Sequence, residues 1–485
     1  MCRASAAVPQ VLRAHGCATI LPRHHLGPYN TSPTRPAGAA VPTFAPMHTL
    51  EDLRAGRLAG ARRLDLSAGL TEFPEEIFSL ADTLEVLNLS GNQLSALPAD
   101  LPRLHRLQVI FCSDNQFEAV PEVLGQCPQL TMVGFKANKI TTLPGAALPP
   151  RLRWLILTDN ALASLPPEIG RCTHLQKLML AGNRLRRLPA ELAQCTSLEL
   201  LRIAANELAA LPAWLLALPR LSWLAYAGNP FGAAAEAAAV ARHPIGRIAW
   251  PELATEQQLG EGASGVIYRA RWQRASQPAA EVAVKLFKGA VTSDGLPHSE
   301  MAACISAGRH PNLIAVAGKI AQHPAGAEGL VLELIDPIYG NLAGPPSLAT
   351  CTRDVYAAGT TFTLAAVVRL AHGIASAAAH LHAQGILHGD LYAHNILATP
   401  TGQALLGDFG AASFFEVAAP EAAGLQGLEV RAFGCLLEEL LAHCPAGEVV
   451  TLAALGELQR RCTVPVVAKR PLFAEIEQEL ARYVN

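Results

Sequence analysis

The first half of the chain is patterned on a fixed period. Apolar positions recur in LEVLNLSGN, LQVIFCSDN, LTMVGFKAN, LRWLILTDN, LQKLMLAGN, LELLRIAAN and LSWLAYAGN. The closing asparagines are Asn92, Asn115, Asn138, Asn160, Asn183, Asn206 and Asn229, in steps of 23, 23, 22, 23, 23 and 23 residues. Shortly after them stands an apolar residue followed by proline, as in Leu97-Pro98, Val120-Pro121, Leu143-Pro144 and Leu188-Pro189. The L-x-L alternation predicts a short strand with two side chains in a core and the intervening ones on the opposite sheet face. One coil cannot bury its own apolar face, so the coils must stack into a curved solenoid. Each asparagine turns the chain and can satisfy backbone groups of a neighbouring coil. A seven-residue coiled-coil repeat is excluded by the period and by the recurring prolines.

This is the leucine-rich-repeat pattern, with RRLDLSAGLTEFP (Arg62 to Pro74) as a degenerate first copy. It stops after Asn229-Pro230-Phe231, and GAAAEAAAVARHPIGRIAWPEL then predicts a short helix capping the last coil, followed by a linker. Further on, EVAVK alternates as a strand, SEMAACISAG reads as a helix, and HPNLI and LVLEL return to strand. Leu364–Ala383 is long and apolar but holds Arg369, His372, His380 and His382, which predicts a buried helix and no membrane span. Residues 1–50 contain no Asp or Glu and no clean amphipathic period. The resulting division is a disordered leader over 1–46, repeats over 47–231, a linker over 232–250 and a second domain over 251–485.

Composition narrows the function classes. With 51% hydrophobic and 16% charged residues, disorder over most of the chain is ruled out. Lys+Arg 38 against Asp+Glu 40 leaves a net charge of -2 with no basic stripe, so nucleic acid is not an expected partner. Of the 11 cysteines, Cys127, Cys172 and Cys195 share one buried phase of the repeat. Thiols placed as small hydrophobes, with no CxxC pair, predict a reduced, cytoplasmic protein without a structural zinc.

The second half carries candidate chemistry. LGEGASGVIYRA sets Gly260, Gly262 and Gly265, then Val266, in a hairpin whose bare N–H groups can pass close over phosphates. Lys285 follows on a strand, and Glu300 lies fifteen residues on, in a helix. Such a Lys–Glu pair holds an ammonium against α- and β-phosphates. In HGDLYAHNIL, Asp390 and Asn395 stand five apart, and GDFG supplies Asp408. One acid can accept a substrate hydroxyl proton while the other acid and the amide hold Mg²⁺ (Mg rather than zinc, the ligands being hard oxygens).

In these motifs, residues 252–485 resemble the eukaryotic-type protein kinase catalytic domain. The whole chain resembles a bacterial leucine-rich-repeat protein kinase: an α/β leucine-rich-repeat solenoid followed by an α+β two-lobed kinase-like domain. The resemblance implies an ATP- and Mg-dependent protein kinase acting on serine or threonine. It implies that Gly260, Gly262 and Gly265 cover the phosphates, that Val266 and Ala283 sandwich adenine, and that Lys285 pairs with Glu300. It makes Leu332 the gatekeeper, Glu333 to Ile335 the hinge, Asp390 the base, and Asn395 and Asp408 the metal ligands. EVRAFG (Glu429–Gly434) stands for the family's D-x-W-S-x-G, and Arg470 of KRPLF could pair with Glu421.

Three departures stand out. The residue before the base is Gly389, where the family carries an arginine that receives an activation-loop phosphate. Position 392 is Tyr, where serine/threonine kinases carry Lys. Ser413 is the only hydroxyl between Asp408 and Glu421. Activity independent of loop phosphorylation is therefore expected. A pseudokinase scaffold and a small-molecule phosphotransferase are the alternatives.

A protein partner is expected on the concave repeat face. Its columns Val86, Val109, Met132, Trp154, Lys177, Leu200, Trp223 and Asn88, Phe111, Gly134, Ile156, Met179, Arg202, Ala225 are largely apolar. The competing explanation is that the kinase half folds back onto this face.

Overall fold

The computed structural model describes residues 48–484 apart from 263, 275–276, 289–290 and 293; the leader assigned to 1–46 lies outside them. Eight three-residue strands, from Arg63–Asp65 to Trp223–Ala225, form one parallel sheet in chain order. The middle residues Leu64, Leu87, Ile110, Val133, Leu155, Leu178, Leu201 and Leu224 are buried in a single column. Short 3₁₀ turns such as Glu122–Gln126 and Ala190–Gln194 close the other side of the core. Cys127, Cys172 and Cys195 are buried there, and burial pushes the thiols of Cys127 and Cys172 up to about 11.

The asparagines form the ladder that the repeat predicts. Asn115 Oδ1 accepts from the Leu94 N–H at 2.9 Å, and its Nδ2 donates to Leu89 O at 2.9 Å. Every ladder asparagine from Asn92 to Asn229 follows a residue with positive φ, between 52° at Ala137 and 74° at Gly91. That left-handed step aims the amide inward.

The second half has two lobes. The small lobe is a six-stranded sheet in the order Leu253–Glu261, Gly265–Trp272, Ala280–Phe287, Gly329–Glu333, Val316–Ala321, Arg247–Ala249. Helix Pro297–Ser306 belongs to it. The large lobe is built on the helices Leu364–Ala383, Ala422–Ala442, Val449–Thr463 and Phe473–Leu480. Leu364–Ala383 is mostly buried in that lobe, as its histidines and arginine suggested.

Two expectations change. Residues 232–250 are more than a linker. Helix Ala233–Arg242 caps the solenoid and also packs on Pro297–Ser306, and Arg247–Ala249 is the parallel edge strand of the small lobe. Ile248 is buried in the small-lobe core, and this draws the segment into the sheet.

The concave face, expected to be free for a partner, is covered at its C-terminal end by the second half of the chain. Leu200 and Trp223 share an apolar cluster with Ile386, Leu391 and Tyr392 of the large lobe. Leu387, Phe415, Leu425, Leu428 and Val467 join the solenoid core in return.

Candidate active site

Strand register builds the upper wall of the cleft between the lobes. Ile267 pairs with Lys285, and Lys285 with Leu330, so the Lys285 side chain enters the cleft from mid-strand. Pro297–Ser306 turns Glu300 toward it, and the two side chains form an ion pair in which Glu300 is 2% exposed. Burial pulls the Lys285 ammonium down, but Glu300 and Asp408 outweigh it and hold it above its ordinary range. The cleft is lined by Gly262, Gly265, Ile267, Lys285, Leu332 and Asp408, among others.

Here the structure corrects the glycine-loop reading. Gly265 and Ile267 share the cleft face of their strand, while Val266 alternates to the other face. Ile267, not Val266, is the apolar residue of this strand that lines the cleft. Gly260, Glu333 and Ile335 lie outside the small cavity around Lys285, whereas Ala283, two residues before Lys285, shares its face of the strand and pairs with Leu332, which lines that cavity. Ala283 is buried between Arg269 and Leu332 in the register, and Glu333 ends its strand with its N–H donating to Ala315 O at 2.9 Å.

The lower wall is Gly407–Gly410, and the loop 388–395 adjoins it, Asn395 O accepting from Gly407 N–H at 3.0 Å. Asn395 Nδ2 donates to Asp390 O at 2.9 Å and to Asp390 Oδ2 at 2.7 Å, which fixes the acid and turns the amide oxygen away from it. Asp408 sits at φ 54°, with Gly410 N–H donating to its Oδ1 at 3.1 Å. Asp408 and the amide oxygen of Asn395 are hard oxygen donors of the kind Mg²⁺ takes with one or two protein ligands plus phosphates.

Glu429 holds the loop from beneath. Its carboxylate accepts from Gly389 N–H at 2.6 Å and His388 N–H at 3.3 Å, and lies 2.7 Å from His382 Nε2. Burial pushes this carboxyl up, but His382, His388 and the Gly389 N–H outweigh it and leave it lowered. Arg470 does not pair with Glu421. It donates to Val464 O, Gly427 O and Pro219 O at 2.7–2.9 Å, because its side chain is drawn into the junction with the solenoid.

The solenoid reaches this site, which the sequence reading left open as the lesser explanation of the concave columns. Trp223 stacks on Tyr392 with ring centroids 4.2 Å apart and planes 6° from parallel. Its indole N–H donates to Leu391 O at 3.0 Å. Tyr226 donates its N–H to Ser413 Oγ at 2.9 Å and its hydroxyl to Phe414 O at 3.1 Å. Arg202 forms an ion pair with Asp390 itself. The sequence signal for these contacts was a tryptophan and an arginine in columns that the L-x-L alternation turns away from the repeat core.

Residues 253–424 match the protein tyrosine and serine/threonine kinase family. Residues 150–208 and 83–104 match leucine-rich repeats. Serine/threonine-protein kinase PkaA of Streptomyces coelicolor is 29% identical over 266 residues, which covers 47% of this chain and 46% of that protein. Cyclin-dependent kinase 10 of Homo sapiens is 28% identical over 225 residues, 42% of this chain and 58% of its own. Mitogen-activated protein kinase kinase kinase 13 of Homo sapiens is 29% identical over 163 residues, 34% and 14%. The chain therefore spans about half or less of most of these relatives. It joins a leucine-rich-repeat solenoid to a two-lobed protein-kinase-like domain.

Proposed function

We propose that the chain is an ATP- and Mg²⁺-dependent protein kinase that transfers phosphate to serine or threonine, in the cytoplasm of a bacterium. The observation that carries the reading is one cleft that holds the Lys285–Glu300 pair and Asp408 above the Asp390–Asn395 loop. Mg-ATP, when bound, supplies the phosphoryl group and neutralises the charge that develops on it. In this reading Lys285 would hold phosphate oxygens, Asn395 and Asp408 would hold the metal, and Asp390 would take the hydroxyl proton of the acceptor. The serine/threonine-protein kinase of Streptomyces coelicolor named above supports serine or threonine as the acceptor and the bacterial setting. Buried free thiols at Cys112, Cys127, Cys172 and Cys195 support a reducing compartment. The solenoid surface left for a protein partner is the N-terminal part of the concave face, where Val86, Phe111, Trp154 and Ile156 keep part of their surface.

Purified full-length chain, radiolabelled ATP, Mg²⁺ and a generic protein should give labelled phosphoserine or phosphothreonine. Asp408→Asn should abolish the labelling, since an amide cannot neutralise the metal. Equal labelling by the variant, or none by the wild type, removes the proposal.

A further inference from the structure

Loop 388–395 carries no cation beside its acid, since positions 389 and 392 are Gly and Tyr. The solenoid places one there. Arg202, in the seventh strand Leu200–Arg202, is 1% exposed. Its Nη1 donates to Gly389 O at 2.9 Å and its Nη2 pairs with Asp390 Oδ1. Its Nε donates to Asp294 Oδ1 at 2.8 Å. Asp294 lines the cleft from the segment that leads into the Glu300 helix. One guanidinium thus grips both lobes at the mouth of the cleft.

The loop is shaped for this approach. Gly389 has φ 73°, and a Cβ there would lie 2.5 Å from Ala411 O and 2.8 Å from Leu224 O of the solenoid. A side-chain-bearing residue would push the two halves apart. Val291 and Leu296 also lie on the solenoid: a Cβ on Gly182 would meet Val291 at 2.8 Å, and one on Gly228 would meet Leu296 at 2.4 Å. The contact is built as a permanent one. Glu199, buried in the solenoid, pairs with Thr352 and faces Arg431 at 3.7 Å, and Trp223 is sealed against Tyr392. Charges buried on both sides of a seam are costly to separate.

We propose that Arg202 is a positioning residue of the kinase site, supplied by the repeats. It orients Asp390 and ties the Asp294 segment, and through it the Glu300 helix, to the loop that holds the base. The proposal rests on the kinase reading above. Asp390 Oδ1 is held by Arg202 and Oδ2 by Asn395, and each oxygen keeps a second lone pair for an acceptor hydroxyl. Its side chain is 16% exposed, so the acid is oriented without being sealed. Phosphoryl transfer depends chiefly on such positioning and on fixed charge.

The test uses the full chain, with steady-state kinetics in ATP on a generic protein substrate, and melting curves as the folding control. Arg202→Gln should lower kcat about a hundredfold, the loss that misplacement of a reacting group by about 1 Å produces, with KM for ATP little changed. Arg202→Lys should recover part of kcat. Asp294→Asn, which leaves the Asp390 pair in place, should lower kcat about tenfold by loosening the lobe tie. A merely structural contact would show no rescue by lysine and no separation of kcat from KM.

A folded Arg202→Gln chain whose kcat is unchanged or raised overturns the proposal, a rise meaning that the contact restrains the enzyme. If Arg202→Gln does not fold, wild-type kcat in both Arg202→Lys and Asp294→Asn overturns it. Wild-type chain that transfers no phosphate sinks the kinase reading and this proposal with it. Active wild type with indifferent Arg202 variants sinks this proposal alone.

Discussion

Trp223→Ala probes the seam between the two halves most directly. The indole is 1% exposed, stacks on Tyr392 at 4.2 Å, and donates its N–H to Leu391 O at 3.0 Å. Truncating a buried Trp to Ala removes about 3–5 kcal/mol through lost burial and the cavity left behind. The aromatic stack accounts for about 0.5–1.5 kcal/mol of this. The Leu391 carbonyl also loses its donor, so the upper half of the range, about 4–5 kcal/mol, is expected. The site of the loss matters as much as its size. Leu200 and Trp223 belong to the large-lobe core, and Leu425 and Leu428 belong to the solenoid core. Wild type should therefore melt as one calorimetric transition. Trp223→Ala should split it, with the kinase half melting first. Trp154→Ala, at a partly exposed position of the same column, should lower the melting temperature less and leave one transition. A Trp223→Ala chain within about 1 kcal/mol of wild type, still melting once, would refute the claim that the halves share a core.

Other outcomes follow from single contacts. Lys285→Met strands Glu300 in a dry site at a cost of about 3–5 kcal/mol unless it takes up a proton, and thermal-shift titration should show lost stabilisation by Mg-ATP. Ser413→Ala orphans the Tyr226 N–H and should cost about 1–3 kcal/mol in urea unfolding while leaving kinase turnover intact; phosphate found on Ser413 of the folded wild type by mass spectrometry would contradict its sealing. Glu439 is pushed by burial up to about 7, despite Arg353 at 3.1 Å. The folded state therefore holds that proton more tightly than the unfolded chain, and its contribution to stability falls as pH rises from about 4.5 to 7. Glu439→Gln should flatten the pH dependence of stability in that window; an unchanged profile would show that Glu439 does not titrate there.

The repeats were legible because their signal is local and repeated. Each coil writes its own strand, turn and inward asparagine, so an error in one copy is corrected by the next. The motifs around Lys285, Glu300, Asp390, Asn395 and Asp408 stand out in the sequence as residue types that phosphate and metal chemistry uses, and the fold gathers Lys285, Glu300 and Asp408 in one cleft and joins Asp390 to Asn395. What failed depended on alternation or on distance along the chain. The apolar residue above the cleft was assigned one position early, and with a period of two a single step exchanges Val266 for Ile267. Arg470 was matched with Glu421 by residue type, but its partners are backbone carbonyls that only the folded junction supplies. The concave columns announced a sticky surface without saying what covers it, since nothing near Trp223 in sequence resembles Tyr392, which lies 169 positions on.

The seam also restricts how such a chain can change length. Solenoids ordinarily gain and lose coils with little penalty, because each coil touches only its neighbours. Here the seventh and eighth strands are held in fixed relation to one loop of the kinase half, through Arg202 on Asp390 and Trp223 on Tyr392. A coil inserted between them would move one anchor by a full strand spacing, about 4.8 Å, and no side chain at the seam could follow. Coils added ahead of Arg63 would meet no such obstacle. The repeat array is locked at the end that meets the second half and, among the described residues, carries no such tie ahead of Arg63.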